Sequence, residues 1–294
     1  TIYTGSWTRK RCATRKETGN WGLTGMQVTT TDTNATFSIY AKTRYYQHYD
    51  FKSVRIYYQL DSNSFLPTLN SDDTIISTKI DSLSGYIQFN FKNYKDTLKI
   101  KLIKNDSLDR FFKLYGIEFL TDQPGIVYSN IGVNGADVPS YLKCNLMDEQ
   151  ALAVKPDLII FSVGVNDAYT TNFRKERYEN NYDSLIKRFR AVNPKVSILF
   201  TTNNDTYYRR KYPNKNAYQV SEVMQKLSRK YNCAVWDMFE VMGGLGSIDK
   251  WVELDLAKTD KIHFKGDGYR LIGDLMFSAL MKDYQKYLTE SNAD

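Results

Sequence analysis

Cysteine is scarce and scattered. Cys12, Cys144 and Cys233 lie far apart with no CxxC among them, which leaves no zinc knuckle and at most one disulfide with a thiol over. Histidine is scarcer, with only His48 and His263, so a His-rich metal site is excluded. No apolar run approaches the ~18 residues a helix needs to cross a bilayer. At 42% hydrophobic, 14% aromatic and 25% charged, the 294 residues are also unlike a disordered, collagen-like or fibrous chain. No signal-peptide pattern opens at Thr1, which reads as a cytosolic chain, an already processed one, or one cut from something longer.

Lysine and arginine (40) exceed aspartate and glutamate (33), a net charge of +7 that would suit an anionic partner. The excess is spread out, however, and its densest clusters, around Arg9 to Arg11 and Arg209 to Lys211, are short. They read as solvated faces rather than a nucleic-acid groove.

The length suggests two domains, and the chain divides into halves of different periodicity. From about 21 to 122, short segments alternate with period two and are rich in Tyr, Thr, Ile and Phe. Examples are Ala35 to Tyr40, Ser53 to Leu60, Gly85 to Phe91, Thr97 to Ile103 and Phe111 to Leu120, separated by turn clusters such as Asn70 to Asp73. Strands without intervening helical patterns predict an antiparallel β-sandwich.

After Pro124 the runs become continuously apolar: Gly125 to Val133, Asp157 to Val165, Val196 to Thr202 and Ala234 to Phe239. Such runs suit strands buried on both faces of a parallel sheet. Amphipathic stretches at Phe173 to Val192, Tyr218 to Tyr231 and Tyr269 to Tyr287 follow helical spacing. Strand and helix in alternation predict a three-layer α/β/α domain.

Functional groups in open α/β sheets collect at the carboxyl ends of the strands. The first run there ends in Asn130-Ile-Gly132-Val-Asn-Gly135, whose glycines allow backbone N–H groups to face a ligand oxygen, or simply make a tight turn. The second ends in Gly164-Val-Asn166-Asp167, where Asn166 either points its amide into the crevice or belongs to a helix cap. The third element is Asp260-Lys-Ile-His263. A carboxylate three residues before a histidine in a loop can hold the imidazole by its Nδ1–H and leave Nε2 to accept a proton. His48, in a polar β-rich stretch, has no such partner and receives no role.

This order, N-x-G-x-x-G, then G-x-N-D, then D-x-x-H before the last helix, resembles the SGNH (GDSL-type) hydrolase superfamily over about residues 123 to 294. The resemblance implies a flavodoxin-like parallel-sheet domain and an esterase or deacylase that works through a covalent acyl-enzyme without cofactor or metal. It makes His263 the general base, Asp260 its orienter, and the Gly132 N–H and Asn166 side chain oxyanion donors. The β-rich half fits a subset in which a carbohydrate-binding-module-like sandwich interrupts the catalytic domain. The implied organisation is an N-terminal segment at 1–20 packing on the catalytic domain, a sandwich at 21–122 and the hydrolase domain at 123–294. An acylated carbohydrate or peptidoglycan is then the expected substrate, with no nucleic acid, no membrane span and an extracytoplasmic setting.

One family block is missing. The Gly-Asp-Ser that carries the nucleophile occurs nowhere in the 294 residues. Ser6, in Thr4-Gly-Ser6, follows no apolar strand that would aim it. The nucleophile is therefore unknown here and is expected upstream; the alternative is a non-catalytic glycan-binding protein on a degenerate scaffold.

Overall fold

The computed structural model describes residues 1–41, 49–69 and 74–291; His48 and the turn cluster 70–73 lie outside them. By contact the chain forms two compact units, Thr1–Pro156 with Arg188–Pro194, and Asp157–Lys187 with Lys195–Asp294. The division falls at 156 rather than at the change of periodicity near 123.

Among the described residues of the first unit, ten strands build two antiparallel sheets. One has the order β1 (Ile2–Thr4), β4 (Thr36–Tyr40), β9 (Thr97–Ile103), β6 (Leu66–Leu69). The other runs β2 (Thr8–Arg11), β3 (Met26–Thr30), β10 (Phe112–Leu120), β5 (Phe51–Tyr58), β8 (Tyr86–Lys95), β7 (Ile75–Asp81). Alternation supplies the core: Phe37, Ile39, Val54, Ile56, Phe89, Leu98, Ile100 and Phe112 are all buried in one cluster. Phe37 stacks on Phe112, and Tyr58 stacks on it too, with ring centroids 5.9 and 5.4 Å away.

Residues 1–20 do not stand apart from these sheets. β1 pairs with β4 and β2 with β3, each antiparallel. The unit also holds the short helices α1 (Val138–Leu142), capped by Asp137, and α2 (Met147–Val154). Asn145 Nδ2 donates to Asn20 Oδ1 at 2.8 Å, and just beyond the segment Leu146 N donates to the Trp21 carbonyl and Leu23 N to Gln150 Oε1, also at 2.8 Å.

The run 125–133, expected as a buried strand, is not one. It is irregular, and Ile126 is 98% exposed, with Val127 and Tyr128 also exposed. Apolar content makes a segment able to join a sheet, but a strand exists only where a neighbour takes its N–H and C=O groups.

The second unit holds the parallel sheet, three strands in the order β11 (Leu158–Phe161), β12 (Ser197–Thr201), β15 (Ala234–Trp236). A separate two-stranded antiparallel sheet is formed by β13 (Tyr207–Tyr208) and β14 (Tyr212–Pro213), so the sheets of the protein are mixed rather than wholly parallel. Central β12 is buried from Ile198 to Thr201, whereas edge β11 leaves Leu158 and Ile160 exposed.

The helices of this unit are α3 (Val165–Ala168), α4 (Lys175–Val192), α5 (Asn216–Tyr231), α6 (Met238–Met242), α7 (Ser247–Glu253) and α8 (Gly266–Ser291). The last turn of α4 is counted with the first unit. Val220, Val223, Met224 and Leu227 form the buried stripe of α5, whose last turn carries Arg229 and Lys230 against the helix dipole. α8 confirms the expected helix but not its cover, because Phe277, Leu280, Met281, Tyr284, Tyr287 and Leu288 remain exposed.

Candidate active site

The second unit brings Asp260 and His263 together. His263 Nδ1 lies 2.9 Å from Asp260 Oδ2, while Asp260 Oδ1 accepts the backbone N–H groups of Ile262 at 2.9 Å and His263 at 3.0 Å. One carboxylate thus fixes the turn and the ring at once. Burial pushes the Asp260 carboxyl up, but the hydrogen bonds from the His263 and Ile262 backbone and the His263 ring outweigh it. The group sits below its ordinary value. The His263 side chain is 55% exposed, so with Nδ1 engaged its Nε2 is the nitrogen available to a substrate.

The two residues between them are pinned as well. Lys261, at φ 56°, sends its ammonium to Asp249 Oδ1 at 2.8 Å and over the Tyr207 ring, 4.1 Å from the centroid. The Lys261 carbonyl accepts Tyr207 N at 3.0 Å, and the His263 carbonyl accepts Lys258 N at 2.8 Å. The Ile262 carbonyl accepts Asn204 Nδ2 at 3.0 Å.

Asn166 lies in α3, directly after Gly164. The backbone at Gly164 has φ 155° and ψ −21°, and there is no space for a side chain: a Cβ would sit 2.4 Å from the Tyr178 hydroxyl and 2.5 Å from Asn203 Oδ1. The Tyr178 and Tyr182 hydroxyls both donate to the Val163 carbonyl, at 3.1 and 2.5 Å. Two tyrosines of α4 (Lys175–Val192) therefore hold the turn before Asn166.

The Asn166 turn and the His263 loop rest on neighbouring residues. Asn203 abuts Gly164, and Asn204 bonds Ile262. Farther along, Asn214 Nδ2 bonds the Ala168 carbonyl at 3.1 Å, and Asn214 N donates to the Thr206 carbonyl at 2.8 Å. The stretch Thr202 to Thr206 is almost wholly buried although every residue in it is polar. It follows β12, so both candidate groups are anchored at the carboxyl end of the parallel sheet. Sequence reading passed over this stretch. Its signal was five consecutive polar residues directly after a buried strand, which need internal partners if they are not to face water.

Asp205 shows what such a buried group does. Its Oδ2 accepts Gly246 N and Ile248 N, both at 3.0 Å, at the start of α7. Burial raises its carboxyl above the ordinary value, against the pull of these N–H groups.

Gly132 belongs to the first unit. Its N–H donates to Asn130 Oδ1 at 3.0 Å, inside its own turn, and the Tyr141 hydroxyl braces that turn by donating to the Ile131 carbonyl and accepting from Val133 N, both at 3.1 Å. Ser6 lies in the connection between β1 and β2, where its N–H donates to Asp32 Oδ2 and its carbonyl accepts the Thr30 hydroxyl. Among the described residues, no cluster of three or more His, Cys, Asp or Glu could hold a metal. No helix among the described residues is long and apolar enough to cross a membrane.

No curated protein matches the chain. Among solved structures, a peptidoglycan O-acetylesterase is similar over 96% of this chain and 77% of its own, with 18% identity and a TM-score of 0.77. At that identity the likeness is one of fold. A lipase/acylhydrolase from Enterococcus faecalis covers 50% of this chain and 71% of its own, at 21% identity and TM-score 0.40. An acetyl xylan esterase, AlAXEase, covers 50% and 78%, also at 21% identity and TM-score 0.40. The model of the GDSL-like lipase/acylhydrolase family matches residues 110–271, which span Gly132, Asn166, Asp260 and His263. With more than half of its length under that match, the chain belongs to the GDSL-like lipase/acylhydrolase (SGNH) family.

Proposed function

We propose that this chain supplies the general base and oxyanion donors of a serine-type carboxylic ester hydrolase that removes acetyl groups from a carbohydrate or peptidoglycan polymer. The observation that carries the reading is the 2.9 Å contact between His263 Nδ1 and Asp260 Oδ2 on a loop bonded at every residue. His263 Nε2 takes the proton of a serine hydroxyl as its oxygen attacks the ester carbonyl. The tetrahedral oxyanion collapses to an acyl-serine, with the alcohol protonated by the imidazolium, and water then repeats the sequence. Asp260 keeps the ring in the tautomer that makes Nε2 the acceptor.

Asn166 is the oxyanion donor of the second unit, and Gly132 takes the same role by its place in the motif order; each such donor is typically worth about 3 kcal/mol in the transition state. The Gly132 N–H must turn from Asn130 to serve.

The serine is assigned to a Gly-Asp-Ser segment upstream of Thr1, on a strand that adds to the open edge of β11 within a three-layer α/β/α sheet. The exposed Leu158 and Ile160 support that assignment. The sandwich sheets are assigned to glycan contact, and the setting to the outside of the cytoplasm.

The test is hydrolysis of p-nitrophenyl acetate, and acetate release from acetylated xylan and peptidoglycan, by this chain and by a polypeptide extended to its natural N-terminus. Turnover confined to the extended form, lost on His263→Ala, is the expected result. No turnover in either form, with retention on a glycan column, would overturn the enzyme and favour a glycan-binding protein.

A further inference from the structure

Two of the three cysteines meet inside the first unit. Cys12 follows β2, and its N–H donates to the Gly25 carbonyl at 2.9 Å. Cys144 follows α1, with its N–H on the Tyr141 carbonyl at 3.0 Å and its own carbonyl held by Arg188 Nη2 at 2.7 Å. Both cysteines are 0% exposed. The interaction of the two thiols draws Cys12 below its ordinary value, and that interaction together with burial pushes Cys144 well above it.

The room they share is the room Gly25 leaves. Gly25 has φ +65°, and a Cβ there would lie 2.7 Å from Cys12 Sγ and 3.7 Å from Cys144 Sγ. Any larger residue would push at least one sulfur aside. The two backbones are thus fixed separately, by hydrogen bonds to different partners, at positions that place both sulfurs against one vacant side-chain site. Cys233 belongs to the other unit, where its thiol lies 3.5 Å from the Tyr231 carbonyl.

We propose that Cys12 and Cys144 form a structural disulfide that ties the end of β2 to the turn between α1 and α2. The proposal does not rest on the esterase reading. In the structure the two are thiols, so the bond requires an oxidant of the disulfide class, either a small-molecule disulfide or a protein with an exchangeable disulfide. One cysteine thiolate attacks that disulfide, forms a mixed disulfide and releases the first oxidant sulfur as a thiolate. The second cysteine thiolate then attacks the mixed disulfide at the protein sulfur, making the Sγ–Sγ bond and expelling the other oxidant sulfur. Two protons leave the cysteines, and the oxidant takes two electrons and ends as two thiols. Because both sulfurs are sealed in the folded unit, the exchange runs while the chain folds, and reductants do not reach the finished bond. Joining residues so distant in sequence restricts the unfolded chain more than the folded one, so the bond raises the melting temperature. A chain built this way suits an oxidising compartment.

The experiment refolds the full chain in glutathione disulfide with glutathione, or in excess dithiothreitol, then denatures it in N-ethylmaleimide and weighs it intact. The expected oxidised product carries one adduct, at Cys233, and yields a linked peptide pair holding Cys12 and Cys144 that separates on reduction. The reduced product carries three adducts. Three adducts after oxidation, or a linked pair containing Cys233, would overturn the proposal. A thermal melt gives the second readout. The oxidised chain should melt on the order of 5 °C higher than the reduced one. That difference should vanish in Cys12→Ala/Cys144→Ala and persist in Cys233→Ala. A shift that survives the double substitution would also count against the bond, and the mass readout on the unsubstituted chain stands even if the double variant fails to fold.

Discussion

The side-chain amide of Asn204 donates to the carbonyl of Ile262 at 3.0 Å, so a residue just past β12 holds the backbone one position before His263. This bond couples the end of the parallel sheet to the loop that presents the imidazole. The ring's position is therefore set by the sheet as well as by Asp260.

Asn204→Ala should cost about 1 kcal/mol in urea denaturation, because it leaves the half-buried Ile262 carbonyl without its donor. On the proposed function, it should also lower kcat of the N-terminally extended polypeptide with little change in KM, since it would displace His263 without touching substrate. Wild-type stability in this variant would mean that the loop holds itself.

On the proposed function, Asp260→Asn should leave the fold intact and lower kcat of the extended polypeptide by several orders of magnitude, because the imidazole would lose its orienting anion. The same substitution has a pH signature. The Asp260 carboxyl is held below its ordinary value of 3.8, so the folded state binds its proton less tightly than the unfolded one. Its contribution to stability is present above pH 3.8 and is lost as pH falls through the lower folded-state value. Urea midpoints measured below pH 4 should therefore fall more steeply for the wild type than for the variant, and parallel curves would refute this.

Asp205 carries the opposite sign. Burial raises its carboxyl above 3.8, so the folded state binds the proton more tightly, and the residue's contribution declines as pH rises from 3.8 through the raised value. Asp205→Asn keeps an oxygen for the Gly246 and Ile248 N–H groups and removes that decline. Its stability relative to wild type should improve with pH across this window and then level off. Asp205→Ala, which leaves both N–H groups without their acceptor, should cost about 2 kcal/mol or more at any pH. Denaturation of the three proteins from pH 3 to 8 separates these outcomes.

Gly164→Ala meets an unfavourable φ and two polar atoms within 2.5 Å. The turn before Asn166 must shift or the chain lose stability, by about 2 kcal/mol or more given the strain and overlap together. A melting curve superimposable on the wild type would show that Tyr178 and Asn203 can yield.

Several strands of the first unit were legible in advance. The alternating segments around Thr36–Tyr40, Phe51–Tyr58 and Thr97–Ile103 became strands because each buries one face, and period two states which. The strands at Ile2–Thr4 and Thr8–Arg11 went unseen because they are short and mostly exposed, so pairing rather than burial defines them. Residues 125–133 failed in the other direction: the apolar run was real, and no strand formed. At the site, the spacing of Asp260 and His263 was readable because three residues is the reach of a single turn.

Local chemistry, then, was written in the linear order of residues: which segments can be strands or helices, and that a carboxylate could steer a nearby imidazole. These depend on contacts a few positions apart, and covalent spacing limits those contacts tightly. Only the folded chain decided that Asn203 and Asn204 would serve the Gly164 turn and the His263 loop, that Asp205 would seat α7, and that Cys12 would find Cys144. Such pairings join residues many positions apart, and what selects them is the packing of whole elements and the cost of a buried polar group without a partner.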